Sequence, residues 1–124
     1  MKSIVFPIVF ILALIVHGSS NANTLTIINN TPCYFIVVTQ NSGAGGLIIP
    51  PGSTILPNDT DDYTLAKVSW SGGGSNLDVW YGGPTFANSS TIGVFPTCFS
   101  TPGTAFNISW SQSSPTSNAV LVIF

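Results

Sequence analysis

Short apolar segments recur along the chain, and in most of them apolar and polar residues alternate with the period of two that marks a β-strand with one buried face. Nine segments are predicted to be strands: residues 24–28, 33–39, 47–49, 53–56, 63–70, 77–81, 91–95, 104–110 and 119–124. No window of a dozen residues has the apolar spacing of an amphipathic helix without Gly, Pro or β-branched interruptions. The pattern therefore predicts an all-β protein.

Two of these segments also predict which faces are buried. Residues 33–39 are so rich in β-branched and aromatic side chains that we expect a strand buried on both faces. Residues 63–70 alternate, which places Leu65 and Lys67 on one face and Trp70 on the other. Clusters of Gly, Pro, Asn and Ser separate the segments about every ten residues, as turns do in β-sandwiches. We expect a small antiparallel β-sandwich, either thaumatin-like or immunoglobulin-like.

The N-terminal segment has the features of a signal peptide. Lys2 is followed by an apolar run at residues 4–16, which is shorter than the roughly 20 residues of a membrane-spanning helix. The small-residue motif Ser20-Asn21-Ala22 predicts cleavage after Ala22; the alternative is an uncleaved anchor. The prediction is a signal peptide at residues 1–22, a single β-sandwich domain at residues 23–124, and a secreted, extracellular protein.

The chain has very little charge, since only 5% of its residues are Asp, Glu, Lys or Arg against about 25% in a typical domain. After residue 22 the charged side chains are Lys67 and four aspartates, with no His, Arg or Glu. This composition excludes non-specific nucleic-acid binding and a polybasic membrane-surface patch, because both need many cations. It also leaves few groups for proton transfer, so a non-catalytic protein without a cofactor is predicted.

The two cysteines and four sequons agree with export. Cys33 and Cys98 are predicted to form a disulfide, because a secreted chain oxidises such a pair and neither thiol has a His or a cluster of cations to activate it. Four Asn-x-Ser/Thr motifs are candidate N-glycosylation sites in a eukaryotic secretory pathway. Their acceptors are Asn29, Asn58, Asn88 and Asn107.

Aromatic side chains beside a carboxylate are the strongest candidates for a binding site. Trp70, Trp80 and Tyr81 lie in or beside predicted strands together with Asp78. Aromatic rings that are not needed in the core can stack on sugars, whereas the alternative is that they fill the core. Trp70 and Trp80 flank the loop SGGGSN, so we expect them near one another across a hairpin. Trp80 and Tyr81 are adjacent in the strand predicted at residues 77–81, so we expect one of them to face in and the other out.

An acidic cluster offers two other kinds of chemistry. Asp59, Asp61 and Asp62 supply hard oxygen ligands suited to Ca²⁺, although their spacing is not that of an EF-hand; the alternative is a polar turn. Asp78 with one member of the cluster would meet the two-carboxylate requirement of a glycoside hydrolase.

The C-terminal segment carries a further alternative. Residues 119–124, AVLVIF, are uncharged, free of Pro and strongly β-forming, as in strands that associate between chains. They predict either a self-associating structural or membrane-active protein or simply a buried central strand.

Three short motifs within residues 25–82 resemble those of thaumatin-like proteins. They are IINNTPC from Ile27, GGL…IPPGS from Gly45, and the pair WSG and WYG at Trp70 and Trp80. The resemblance implies a secreted β-sandwich of the kind found in defence and cell-wall-binding proteins. It does not extend to that family's many disulfides or to its acidic cleft, because the chain has two cysteines and no Arg or Glu.

Together these features predict a secreted, non-catalytic protein with a defence or host-interaction role. Its expected partner is an extracellular or cell-wall carbohydrate or a cell-surface protein, bound by Trp70, Trp80, Tyr81 and Asp78. The alternatives are self-association, and glycan hydrolysis that uses Asp78.

Overall fold

The computed structural model describes residues 22–57 and 61–124, and its strands confirm the all-β prediction. The strands are β1 (Leu25–Asn29), β2 (Phe35–Val38), β3 (Leu47–Ile49), β4 (Gly52–Leu56), β5 (Leu65–Trp70), β6 (Leu77–Trp80), β7 (Phe86–Asn88), β8 (Asn107–Ser111) and β9 (Ala119–Ile123). A one-turn 3₁₀ helix (Ser89–Ile92) follows β7. Apart from Ala22, the predicted signal peptide lies outside the described residues. Within residues 22–57 and 61–124, no helix has the length and apolar character needed to cross a membrane.

The strands form two packed sheets, which confirms the predicted sandwich. The five-stranded sheet has the order β4-β1-β9-β8-β7, and the four-stranded sheet has the order β3-β2-β5-β6. All neighbouring strands are antiparallel except β1 and β9, which run parallel with Leu25 beside Ala119. The two strands start side by side because the Ala119 N–H donates to the Thr24 carbonyl at 2.9 Å.

The core lies between the inner faces of the two sheets. It contains fully buried aliphatic side chains such as Ile27 and Leu121, and a pair of aromatic rings, Phe35 and Phe106, whose centroids are 4.7 Å apart. Burying one such side chain stabilises the fold by about 1.5–3 kcal/mol relative to leaving it exposed. The alternation seen in the sequence therefore does place one face of each sheet in the core.

The predicted disulfide is confirmed, and it fastens the longest irregular segment of the described chain. Cys33, just before β2, is bonded to Cys98 with a Cα–Cα distance of 5.5 Å. Cys98 lies within residues 93–106, which connect the 3₁₀ helix to β8 without regular secondary structure. The disulfide ties this connection to the edge of the core, where Phe106 is buried.

The strand predicted at residues 91–95 is wrong. In its place the chain forms β7 at residues 86–88 and then the 3₁₀ helix. The side chain of Asn88 caps this helix, because its Oδ1 accepts from the Ser90 N–H at 2.7 Å. Gly93 ends the helix with a left-handed φ of 68°, which interrupts any extended run through this segment.

The prediction that residues 33–39 are buried on both faces is also wrong. Phe35 and Val37 are fully buried, but Ile36 and Val38 lie on the outer face of the four-stranded sheet and are only half-buried. β-branched residues suit a half-exposed pleated surface as well as a buried one, so composition alone does not separate the two cases.

Candidate functional site

The outer face of the four-stranded sheet carries Trp80 and Asp78. In β6, Leu77 and Val79 are buried, so the alternation of a strand turns Asp78 and Trp80 to the opposite side. Trp80 is 41% exposed, which is a large exposed fraction for an indole on a β-strand. The structure thus brings two of the four predicted site residues to one surface.

Strand β5 supplies the neighbours of these two side chains. Leu65 lies directly opposite Trp80, and Lys67 lies directly opposite Asp78. Side chains in such cross-strand pairs stand about 4.5–5.5 Å apart at Cβ, so an apolar pair adjoins a pair of opposite charges. We call these four residues, Leu65, Lys67, Asp78 and Trp80, the Trp80 patch.

A tight turn holds the Trp80 indole in place. The Gly83 N–H donates to the Trp80 carbonyl at 3.2 Å, and Gly82 at the third position has a φ of 77°, as in a type II turn. A Cβ added to Gly83 would lie 1.8 Å from the Trp80 Nε1, so the indole rests directly on this glycine. The turn therefore supports the ring while part of it remains open to solvent.

The Asp78 carboxylate is also held in position. The Asn76 Nδ2 donates to the Asp78 Oδ1 at 2.6 Å, so one carboxylate oxygen already has a partner. The carboxylate is solvent-exposed, and its other oxygen can accept a hydrogen bond from a ligand hydroxyl. The patch thus combines an apolar ring with an oriented polar group.

Tyr81 follows Trp80 directly in the chain but is not part of the strand, because β6 ends at Trp80. Tyr81 lies in the turn, where its N–H donates to the Thr64 carbonyl at 2.8 Å, and its side chain is exposed. The expectation that one of Trp80 and Tyr81 faces in is wrong, because both side chains are exposed and Tyr81 lies outside β6.

Trp70 does not belong to this surface, and the prediction that it lies near Trp80 is wrong. It pairs with Phe35 at the other end of β5 and packs against the core. Leu65, the partner of Trp80, is five residues away along β5, which corresponds to about 16 Å and to the opposite face of the sheet. Trp70 therefore has a packing role.

The outer face extends to two apolar side chains that the site prediction left out. Tyr34 is 53% exposed and precedes the buried Phe35, and Ile48 on β3 is 71% exposed beside Ile36. No alternation of polar and apolar residues marks Tyr34 in the sequence, because its neighbours Cys33, Phe35 and Ile36 are apolar. These residues lie across the sheet from Trp80, so the face is apolar on both sides of the Lys67–Asp78 pair.

The two members of the acidic cluster that the structure describes, Asp61 and Asp62, form hydrogen bonds within the chain. Asp62 accepts through Oδ1 from the Asn23 backbone N–H at 2.7 Å, and the Asp61 carbonyl accepts from the Asn41 side-chain amide at 2.7 Å. The part of the chain that the structure describes holds no group of three or more acidic, Cys or His side chains placed to bind a metal. Asp59 lies outside that part, so the calcium site stays a prediction.

The four sequons have different surroundings. Asn29 is 2% exposed, its Nδ2 donates to the Cys33 carbonyl at 2.7 Å, and its Oδ1 accepts from Thr31, so its burial argues against a glycan. Asn88 and Asn107 are half-buried cross-strand neighbours, and the Asn88 Nδ2 donates to the Asn107 Oδ1 at 2.6 Å. Glycosylation of these two residues stays a prediction, and Asn58 lies outside the described residues.

Comparison of the chain with protein-family models, with curated proteins and with solved structures finds no match. The resemblance to thaumatin-like proteins therefore stays a prediction from the three motifs.

Proposed function

We propose that the protein is a secreted, non-catalytic binding protein that recognises extracellular or cell-wall carbohydrate, in defence or host interaction, through the Trp80 patch. The observation that carries the proposal is the exposed Trp80 indole, held on Gly83 beside the oriented Asp78 carboxylate. A sugar ring has an apolar face that packs on an indole and hydroxyls that bond to charged groups. Lys67 and Asp78 supply a donor and an acceptor for such hydroxyls.

The spread of aromatic residues favours an extended glycan over a single sugar. Tyr34 precedes β2 at one end of the sheet, where its carbonyl accepts from the Ser71 N–H, whereas Trp80 lies beside Leu65. Residue 65 begins β5 and residue 71 follows its end, so the backbone positions that carry the two rings are separated by about 20 Å along the strand direction. A ligand that contacts both rings spans several sugar units.

The surroundings of Asp78 support a binding role over hydrolysis. A glycoside hydrolase needs two carboxyl groups about 5–9.5 Å apart on either side of the scissile bond. The cross-strand neighbour of Asp78 is Lys67, and Asp62 is bonded to the Asn23 backbone. The carboxylate of Asp78 is therefore better suited to accept a hydrogen bond from a ligand than to act with a second carboxyl group in acid–base catalysis.

A glycan array followed by titration of the intrinsic Trp fluorescence tests the proposal. We expect Trp80→Ala to weaken binding of the recognised glycan about tenfold, because tenfold corresponds to ~1.4 kcal/mol and the buried area and stacking contact of an indole together contribute an amount of that order. Trp70→Phe is the control, since Trp70 packs against the core and should leave the affinity unchanged. Absence of any glycan ligand, or equal affinity of the Trp80→Ala variant, would contradict the proposal.

A substitution at Gly83 tests the same site without removing the Trp80 indole. Gly83→Ala forces the Trp80 indole to move, because the new Cβ would overlap it, so the affinity should fall as it does for Trp80→Ala. Gly45→Ala is the matched control, since a Cβ there meets no atom within 4 Å. If Gly83→Ala binds as tightly as the unaltered protein, the held indole is not the recognition element.

A second candidate function is association of two copies through the outer face of the five-stranded sheet. This face exposes Ile55, Phe86 and Phe124, and the rings of Phe86 and Phe124 are 6.4 Å apart. None of the five strands contains a charged residue, so two copies of an acidic protein can approach here without repulsion between facing charges. β9 is the middle strand of this sheet, so its backbone is already hydrogen-bonded to β1 and β8. Association would therefore use the outer face of the sheet and not the edge of β9.

Sedimentation velocity distinguishes this candidate from a monomeric binding protein. If the face associates, a dimer forms at micromolar concentrations and Phe86→Asp abolishes it, since a buried unpaired charge is costly. Ile48→Asp is the control, because Ile48 is an exposed apolar residue on the other sheet. A monomer at every concentration rules out association through this face.

A further inference from the structure

Asn23 is the first residue of the described chain that is anchored through its side chain. It is 3% exposed, and both polar ends of its side chain are bonded. The Nδ2 donates to the carbonyls of Tyr63 at 2.9 Å and Ser117 at 2.7 Å, while the Oδ1 accepts from the Tyr63 N–H at 2.6 Å. These bonds fix Asn23 between the segments that lead into β5 and β9.

The backbone nitrogen of Asn23 points at a carboxylate. It donates to the Asp62 Oδ1 at 2.7 Å in a partly buried position. The following residue is held as well, because the Thr24 N–H donates to the Asn118 Oδ1 and the Thr24 carbonyl accepts from Ala119. The backbone on the C-terminal side of Asn23 is therefore fixed independently of what precedes it.

We propose that cleavage of the Ala22–Asn23 bond creates an N-terminal ammonium group on Asn23 that forms an ion pair with the Asp62 carboxylate and locks the mature N-terminus into the sandwich. The proposal rests on the secretion proposed above. A signal peptidase breaks the peptide C–N bond, and water supplies the hydroxyl to the Ala22 carbonyl carbon and a proton to the Asn23 nitrogen. At neutral pH the new acid releases a proton and the new amine binds one.

The charges of the described chain make Asp62 the natural partner of this ammonium. The only side-chain cation in residues 22–57 and 61–124 is Lys67, which lies opposite Asp78. A hydrogen bond between an amide N–H and a carboxylate already exists at this position, and an ammonium donor would add the attraction between opposite charges to it. Because the site is partly buried, salt screens the pair less than it would a surface pair.

The first experiment determines the N-terminus of the protein secreted from the full chain. N-terminal sequencing and intact mass should both give a chain that begins at Asn23. A chain that begins at any other residue overturns the proposal, because its ammonium would not lie at Asp62. This outcome is independent of glycan binding, which the array and the Trp80 variants test separately.

The second experiment measures the coupling between the ammonium and Asp62. Thermal unfolding is compared for the mature protein and for Asp62→Asn, each with a free and an N-acetylated α-amino group. Acetylation should lower the melting temperature of the unaltered protein by about 4 °C or more, and that of Asp62→Asn by much less. The Asn side chain can still accept from the Asn23 nitrogen, so the variant retains the local hydrogen bond.

Asp61→Asn is the matched control. Asp61→Asn removes a neighbouring negative charge but keeps the Asp62 carboxylate, which accepts from the Asn23 N–H at 2.7 Å. Acetylation should therefore lower the melting temperature of this variant nearly as much as that of the unaltered protein. Equal effects of acetylation in the unaltered protein and in Asp62→Asn would overturn the proposed ion pair.

Discussion

Replacing Cys33 and Cys98 together with serine is expected to lower the free energy of unfolding by about 4 kcal/mol, because the bond closes a long loop in the unfolded chain. The two cysteines are 65 residues apart, and the loss is a large fraction of the 5–15 kcal/mol that is typical of a domain. Urea denaturation monitored by Trp fluorescence measures it, and the m-value should rise because the uncrosslinked chain exposes more surface.

The backbone around Cys33 should remain ordered without the disulfide. The Cys33 N–H donates to the Thr31 Oγ1 at 3.1 Å, and its carbonyl accepts from the Asn29 Nδ2. The destabilisation is therefore expected to come from the freed unfolded chain and from the irregular segment 93–106. Reduction of the unaltered protein is the control and should match the double variant. A change below about 1 kcal/mol would show that the cross-link does not restrict the unfolded state in this way.

Phe106→Ala should destabilise the fold by about 3–5 kcal/mol, the range observed when a large buried aromatic side chain is removed. Phe106 is fully buried against Phe35, and its backbone is bonded on both sides to Ser89, which accepts from its N–H at 2.9 Å and donates to its carbonyl at 2.9 Å. These bonds limit how far the chain can collapse into the cavity. Chemical denaturation of the variant gives the value.

Phe95→Ala is the matched control, because Phe95 belongs to the same irregular segment and its side chain is exposed. Substitutions of this kind usually change stability by about 0.5 kcal/mol or less. Phe106→Leu keeps most of the side-chain volume but removes the ring contact with Phe35. It should lower the free energy of unfolding by about 1 kcal/mol, which is the contribution of an aromatic pair beyond its buried area. Equal effects of Phe95→Ala and Phe106→Ala would mean that the segment carries no core contact.

The parts of the fold that could be predicted are those that depend on local alternation. The faces of β5 and β6 follow from the period of two, which is why the exposure of Asp78 and the burial of Val79 agree with the sequence. Strand β7 was not predictable in the same way, because three residues give too little alternation. Residues 91–95 contain β-forming side chains, but the left-handed Gly93 prevents an extended strand.

The candidate site depends on contacts that no local pattern contains. Trp70 and Trp80 flank one loop, but the register of β5 and β6 places them at opposite ends of the hairpin. The hydrogen bond between Asn23 and Asp62 joins residues 39 positions apart, and only the packing of the sheets brings them together. From the sequence, the acidic cluster is predicted to be a metal site or a polar turn. In the structure, the carboxylate of Asp62 accepts a hydrogen bond from the Asn23 backbone.

The parallel pairing of β1 with β9 also constrains the order in which the five-stranded sheet can form. Leu25 pairs with Ala119, so the central pair of the five-stranded sheet joins residues 94 positions apart. Such pairings give a high contact order and slow folding, since the loop-closure entropy is lost before the contacts form. Until residues 119–123 have been synthesised, β1 lacks one of its two neighbours. The five-stranded sheet can therefore be completed only after β9 has been made, whereas every strand of the four-stranded sheet precedes β9 in the chain.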